Sequence, residues 1–210
     1  MTIRQRVRIR FQKQGDLCFI GHRDLARTME RAFRRAGIAL SMSDGFHPKP
    51  RISFPLALAV GIVGINEVLE VELSEPLTAD ELAARLFPVL PDGLVIHSLD
   101  ILAPDAPKAQ VERMVYEIPV PESRRVAVSR AVEELMSQSE YWIKRPGRED
   151  QLNLRSDIAE MELSDGNLRM VQIARPTASC KPREILQVLG IADLEREGCQ
   201  LVRTSVELRG

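Results

Sequence analysis

Aromatic residues are scarce in this chain of 210 residues: one Trp, two Tyr and six Phe, 4% of the total. A broad base-stacking platform, of the kind that single-strand binders build from aromatic rings, is therefore not expected. Cysteine is as sparse. Cys18, Cys180 and Cys199 are widely spaced and odd in number, which fits a reducing compartment better than a disulfide framework and casts each thiol as a small buried hydrophobe. The phosphate loop Gly-x4-Gly-Lys-Ser/Thr, the elbow Gly-x-Ser-x-Gly and the dinucleotide fingerprint Gly-x-Gly-x-x-Gly are all missing, so the main cofactor-bearing enzyme classes have no support. No apolar run approaches the ~18 residues that cross a bilayer. The stretch MTIRQRVRIRF alternates charge with apolar side chains, unlike a signal peptide. The expectation is a cytoplasmic protein with no membrane association and no cofactor of its own.

What is present is charge, unevenly placed. Hydrophobic residues make up 44% and charged residues 28%, an ordinary balance for a folded chain, and the formal net charge is only -1. Residues 1–55 nevertheless hold twelve Lys/Arg against four Asp/Glu, while residues 56–210 hold seventeen against twenty-six. That asymmetry fits one basic face suited to phosphates on an otherwise acidic protein. Much of the basic face falls on one predicted helix, Asp24 to Ala36. There Leu25, Met29, Phe33 and Ala36 share a core-facing stripe, and Arg23, Arg27, Arg31 and Arg34 lie about 200° round at ~100° per residue. Such a row is either a solvated face or an anion-binding one.

The hydrophobic periodicity predicts an α+β chain of two tandem ferredoxin-like (βαββαβ) units with antiparallel sheets, a basic one at 1–103 and a more acidic one at 110–210. Ile3, Val7, Ile9 and Phe11 alternate with Arg4, Arg6, Arg8 and Arg10 in a first strand. Extended pieces over Ile38–Met42 and Arg51–Val60 follow the helix, broken by SDGFHPKP. Then come a strand over Val68–Leu73, a helix capped by Thr78 through Glu81, and a strand over Leu94–Leu102. Residues 103–110, APDAPKAQ, lack apolar periodicity and read as a linker. The second half repeats the theme: strand Val111–Val120, helix Glu122–Ser137, extended pieces at Tyr141–Lys144, Leu152–Ile158, Met161–Leu163 and Leu168–Ile173, helix Pro182–Leu189 and strand Leu201–Leu208. Ser164-Asp165-Gly166-Asn167 is read as a hairpin turn.

Three groups of residues are candidates for chemistry. On the first strand the arginines face the sheet surface that RNA-binding members of such architectures use, but Glu70 and Glu72 are placed to pair with Arg6 and Arg8, and that pairing is the preferred reading for these four. The loop Ser43–Arg51 gathers His47, Lys49 and Arg51 with only Asp44 as an obvious acidic partner; Gly45 gives the backbone freedom to approach a phosphate, though a plain structural turn fits equally. With the helix arginines, these residues form the candidate nucleic-acid surface: Arg23, Arg27, Arg31, Arg34, His47, Lys49 and Arg51. An alternative assigns acid–base roles to His22 and His47, with Lys49 steadying developing charge, in a metal-free endoribonuclease. Cys18, His22 and His47 fall short of a tetrahedral metal set.

The segments GHRDLARTMERAFRRAG, SDGFHPKPRISFPLALAVG and EVLEVEL resemble the radical-SAM-linked protein family, a domain of unknown function found beside or fused to a radical-SAM protein. His22, Asp24 and Leu25, the block Arg31, Ala32, Arg34, Arg35, Ala36 and Gly37, and Gly45, Phe46, Pro48, Pro50, Ile52, Ser53 and Phe54 carry the match. The resemblance implies a radical-SAM protein as partner. With cysteines only at 18, 180 and 199, the chain lacks the Cys-x3-Cys-x2-Cys triad of such enzymes, so any radical chemistry belongs to that partner. The functional expectation is a non-catalytic accessory or substrate-recognition module that binds RNA, a ribonucleoprotein or another ribosome-related substrate.

Overall fold

A computed structural model of the chain describes residues 4–147, 149–175 and 179–209. Ile3, expected in the first strand, lies outside the described residues. The fold is mixed α+β, and the chain divides into two compact units, Met1–Gln110 and Val111–Gly210.

In the first unit the elements are β1 (Gln5–Lys13), a 3-10 turn (Gly15–Phe19), α1 (His22–Arg35), β2 (Ile52–Ser53), β3 (Val63–Leu73), α2 (Ala79–Leu86) and β4 (Leu94–Ile101). β1 is central, antiparallel to β3 on one side and to β4 on the other, and β2 pairs with β3. The period-two pattern holds along β1. Val7, Ile9 and Phe11 enter a core with Leu69, Val71 and Leu73 of β3, against Leu25, Met29 and Phe33 of α1 and Leu82 and Leu86 of α2. Burying each such side chain is worth about 1.5–3 kcal/mol, so the stripe that defines α1 also fixes its rotation. At Thr78 the cap is as expected: its Oγ1 accepts from the Glu81 N–H at 3.2 Å, and Glu81 accepts from the Thr78 N–H at 2.8 Å.

The second strand departs from expectation. Of the Arg51–Val60 run only Ile52–Ser53 joins the sheet, and Ile38–Met42 contributes single bridges, Leu40 to Leu73 and Met42 to Pro50. Pro50 and Pro55 flank the paired dipeptide, and neither has an N–H to give to a ladder.

In the second unit come β5 (Val111–Pro119), α3 (Glu122–Ser137), a separate ribbon of β6 (Trp142–Lys144) and β7 (Gln151–Asn153), then β8 (Ile158–Ser164), β9 (Asn167–Ile173), α4 (Pro182–Val188) and β10 (Val202–Leu208). The four long strands lie in the order β10-β5-β9-β8, antiparallel throughout. Leu152–Ile158, expected as one extended piece, is broken by a 3-10 turn at Arg155–Asp157. The β8–β9 hairpin turns at Asp165 (φ 51°) and Gly166 (φ 78°), both left-handed, the signature of a two-residue type I′ turn that Asp-Gly favours.

Candidate nucleic-acid interface

α1 forms where its sequence places start, stripe and stop together. Gly21 stands at the N-cap in extended geometry, Asp24 occupies the positive first turn and Arg34 and Arg35 the negative last one. Gly37 at φ 65° ends the helix, and the Ile38 N–H reaches back to the Phe33 carbonyl at 3.0 Å. With Leu25, Met29, Ala32 and Phe33 buried, Arg23, Arg27, Arg31 and Arg34 are left exposed. They span about 16 Å at 1.5 Å per residue. Among the described residues the one ion pair on this face is Arg27 to Asp24 at 3.5 Å, with both side chains more than half exposed; such a pair contributes little. Arg31 donates to the Thr28 hydroxyl at 3.2 Å, Arg35 to the Val89 carbonyl. A shallow groove of about 290 Å³ runs between Thr28, Arg31, Arg34, Arg35 and Pro91.

The Ser43–Arg51 loop is a braced hairpin. Its stem closes at Met42 and Pro50; the Ser43 N–H donates to the Lys49 carbonyl at 2.8 Å, and the Lys49 N–H to Ser43 Oγ at 2.9 Å. Gly45 takes φ 115°, a value that suits a residue without Cβ. Arg51 is better supplied with acids than the sequence suggested. Its guanidinium donates to the Met42 carbonyl (3.1 Å) and to Asp44 (3.0 Å), and lies 3.5 Å from Glu72. Arg51 is thus a brace, and the exposed basic side chains of the loop are His47 and Lys49.

The two histidines of the enzyme alternative are not brought together. His22 packs edge-on against the Phe54 ring, centroids 5.1 Å apart, where α1 begins after the Lys13 end of β1. The hairpin that carries His47 instead rises at the other end, where Leu40 meets Leu73 and Leu73 pairs with Gln5. α1 covers about 20 Å between these ends. No cluster of three His, Cys, Asp or Glu side chains that could hold a metal occurs among the described residues.

The arginines of β1 have a different fate. Arg8 donates through Nε and Nη2 to Glu70 Oε1 at 3.0 and 2.8 Å, and Arg6 donates to Glu70 Oε2 at 3.1 Å. The expected cross-strand pairing is present, with Glu70 taking both arginines and Glu72 turned toward Arg51. Residues 106–109 lie over this face: Arg6 donates to the Ala106 carbonyl, and the Ala109 N–H to Glu70 at 3.1 Å. Burial pushes the Arg10 guanidinium below its ordinary value, and neighbouring Arg8 adds to the shift. Residues 106–109 thus cover part of this sheet face, and Arg6 and Arg8 share one carboxylate there.

A profile of the family described as "Uncharacterized protein conserved in bacteria (DUF2344)" matches residues 6–187. The chain belongs to this family. Its description says nothing of radical-SAM chemistry. The family match spans α1, the hairpin and most of the second unit. No curated protein matches. Among solved structures, an unknown protein from Galdieria sulphuraria is similar at 13% identity and a TM-score of 0.29, over 99% of this chain and 100% of that one. A protein provisionally designated a glycine cleavage system transcriptional repressor is similar at 9% and 0.30, over 99% and 98%.

The sequence reading missed the role of 106–109, because an Ala/Pro segment has no periodicity to betray what it packs on. It named Asp44 beside Arg51 but missed the second acid, Glu72. Glu72 was visible as an acid on the arginine side of the sheet, and the prolines 48 and 50 hinted at a stem narrow enough to bring Asp44 back to Arg51.

Proposed function

We propose that the chain is a non-catalytic binding module whose first unit holds RNA or a ribonucleoprotein on the arginine face of α1 and on His47 and Lys49 of the hairpin. The observation that carries this reading is a division among the arginines. Arg6 and Arg8 of β1 bind Glu70, whereas among the described residues Arg23, Arg27, Arg31 and Arg34 share a single loose acidic contact on a face about 16 Å long. Guanidinium groups left in water at this density have phosphates as natural partners, since they pair with them as forks at modest desolvation cost. Both units are read as ferredoxin-like, supported by β4-β1-β3 with β2 on β3 and by β10-β5-β9-β8, which place first, third and fourth strands alike.

The enzyme that this module serves is proposed to be a radical-SAM protein, on the resemblance carried by His22 to Phe54. The missing cysteine triad leaves the cluster to that partner. Purified chain should retain RNA, and joint Arg23→Gln, Arg27→Gln, Arg31→Gln and Arg34→Gln exchange should release it. Retention by that variant would contradict the assigned face. Co-expression should recover the radical-SAM partner, with near-zero iron on the isolated chain; stoichiometric iron–sulfur cluster on the chain alone would reject the accessory role.

A further inference from the structure

The aromatic rings of the first unit differ in burial. Phe11 and Phe33 are in the core, Phe54 packs edge-on to Phe11 with centroids 6.1 Å apart, and Phe87 is 46% exposed. Phe19 is 68% exposed and Phe46 wholly so. A single exposed phenylalanine needs no explanation. These two, however, bracket the arginine row. Phe19 ends the 3-10 turn three residues before α1, and Phe46 tops the hairpin that rises beyond the other end of the helix. Both forgo the burial that Phe11 and Phe33 gain.

The tip that carries Phe46 is held out from the body. Arg51 ties the Met42 carbonyl to Asp44, Arg4 approaches Asp44 at 3.8 Å, and Pro48 and Pro50 fix their own φ. A ring displayed on a braced stem loses little freedom when it is covered. Around it stand Arg4, Lys49 and Arg51 against Asp44, which Arg4 and Arg51 share, and Glu72, which lies 3.5 Å from Arg51, so that one positive charge is left in surplus. An apolar pocket on a protein would accept the ring, but the positive surplus favours a ligand that offers a flat apolar surface and negative charge together. A nucleotide does so, its base stacking on the ring while its phosphate meets the cations.

We propose that Phe46 and Phe19 are base-stacking residues, so that the polyanion bound along α1 is single-stranded RNA with unpaired bases at the two ends of the arginine row. This rests on the RNA reading given above. The rings decide the strandedness, because phosphate contacts alone favour the denser charge of a duplex, and paired bases offer no free face to a phenyl ring.

The test uses the full chain with three probes: an unstructured pyrimidine-rich RNA oligonucleotide, the same strand in a duplex, and inorganic polyphosphate. Wild type should prefer the single strand. Phe46→Ala and Phe19→Ala should each weaken single-strand binding about tenfold, Phe46→Tyr should restore it, and polyphosphate affinity should not change. Equal loss toward polyphosphate would mean that the variants disturb the basic face, and a wild-type preference for duplex would deny stacking. Either result overturns the inference. Unchanged RNA affinity in both alanine variants leaves the RNA reading standing and removes the rings from it; if the same variants lose the co-purified enzyme partner, the rings belong to a protein interface. Absence of RNA binding by wild type sinks both readings together.

Discussion

Arg6 stands directly across from Glu72 in the β1–β3 register, yet its guanidinium goes to Glu70, the neighbour on the same face, at 3.1 Å. Glu70 already holds Arg8 and the Ala109 N–H, and its side chain is only 9% exposed. One carboxylate therefore bridges two arginines and ties residues 106–109 to the sheet. Glu70→Leu should destabilise the protein by about 3 kcal/mol, because removing one partner of a largely buried cluster strands the others. Urea unfolding measures this, and a loss below about 0.5 kcal/mol, the ordinary range of a surface change, would refute the clasp.

The thiols should differ in reactivity. Burial pushes the Cys180 thiol up to about 12, Asp157 adding to the shift, while Gln172 donates to its sulfur at 3.0 Å. Cys18 is raised by burial as well, with Lys13 opposing. A thiol-reactive dye at neutral pH should label only Cys199, which is partly exposed, and all three after unfolding. For Cys180 the folded state holds its proton more tightly than the unfolded chain does. Its contribution to stability is complete below the ordinary value of 9 and is lost as pH rises from there toward 12. Cys180→Ala should flatten that alkaline decline; an identical pH profile would contradict the assignment.

The Asp165-Gly166 turn gives a backbone test. At Gly166, φ is 78° and a Cβ would meet the Arg125 guanidinium. Gly166→Ala should cost about 1–2 kcal/mol, most of it from the left-handed backbone. Gly21→Ala is the control: φ is -71° there, and the nearest neighbour is the Asp24 carboxylate at 3.8 Å. Thermal unfolding should separate the two variants by several degrees.

Much of the architecture was legible because its signals are local. Alternation revealed β1 and β3, the Leu25-Met29-Phe33 stripe set the rotation of α1, and Asp-Gly set the β8–β9 turn. The second strand was not legible: residues 51–60 are apolar enough for a strand, but the flanking Pro50 and Pro55 and the position of the β3 edge limit pairing to Ile52–Ser53. At the candidate site the phase of the helix arginines could be read, since only helical geometry is involved. Which arginines are already spent could not, since Arg51 meets Glu72 and Arg6 meets Ala106 across separations that no periodicity encodes.

The central claim is that the α1 face and the hairpin neutralise phosphates. Its most direct measurement is RNA affinity across a salt series for wild type and for the joint Arg27→Glu, Arg31→Glu and Lys49→Glu variant. Each phosphate contact releases counterions and adds roughly 0.7 to the negative slope of log affinity against log salt for a single strand. The variant should bind more weakly with a slope shallower by about 2. Equal affinity and equal slope would place the RNA elsewhere or nowhere on this protein.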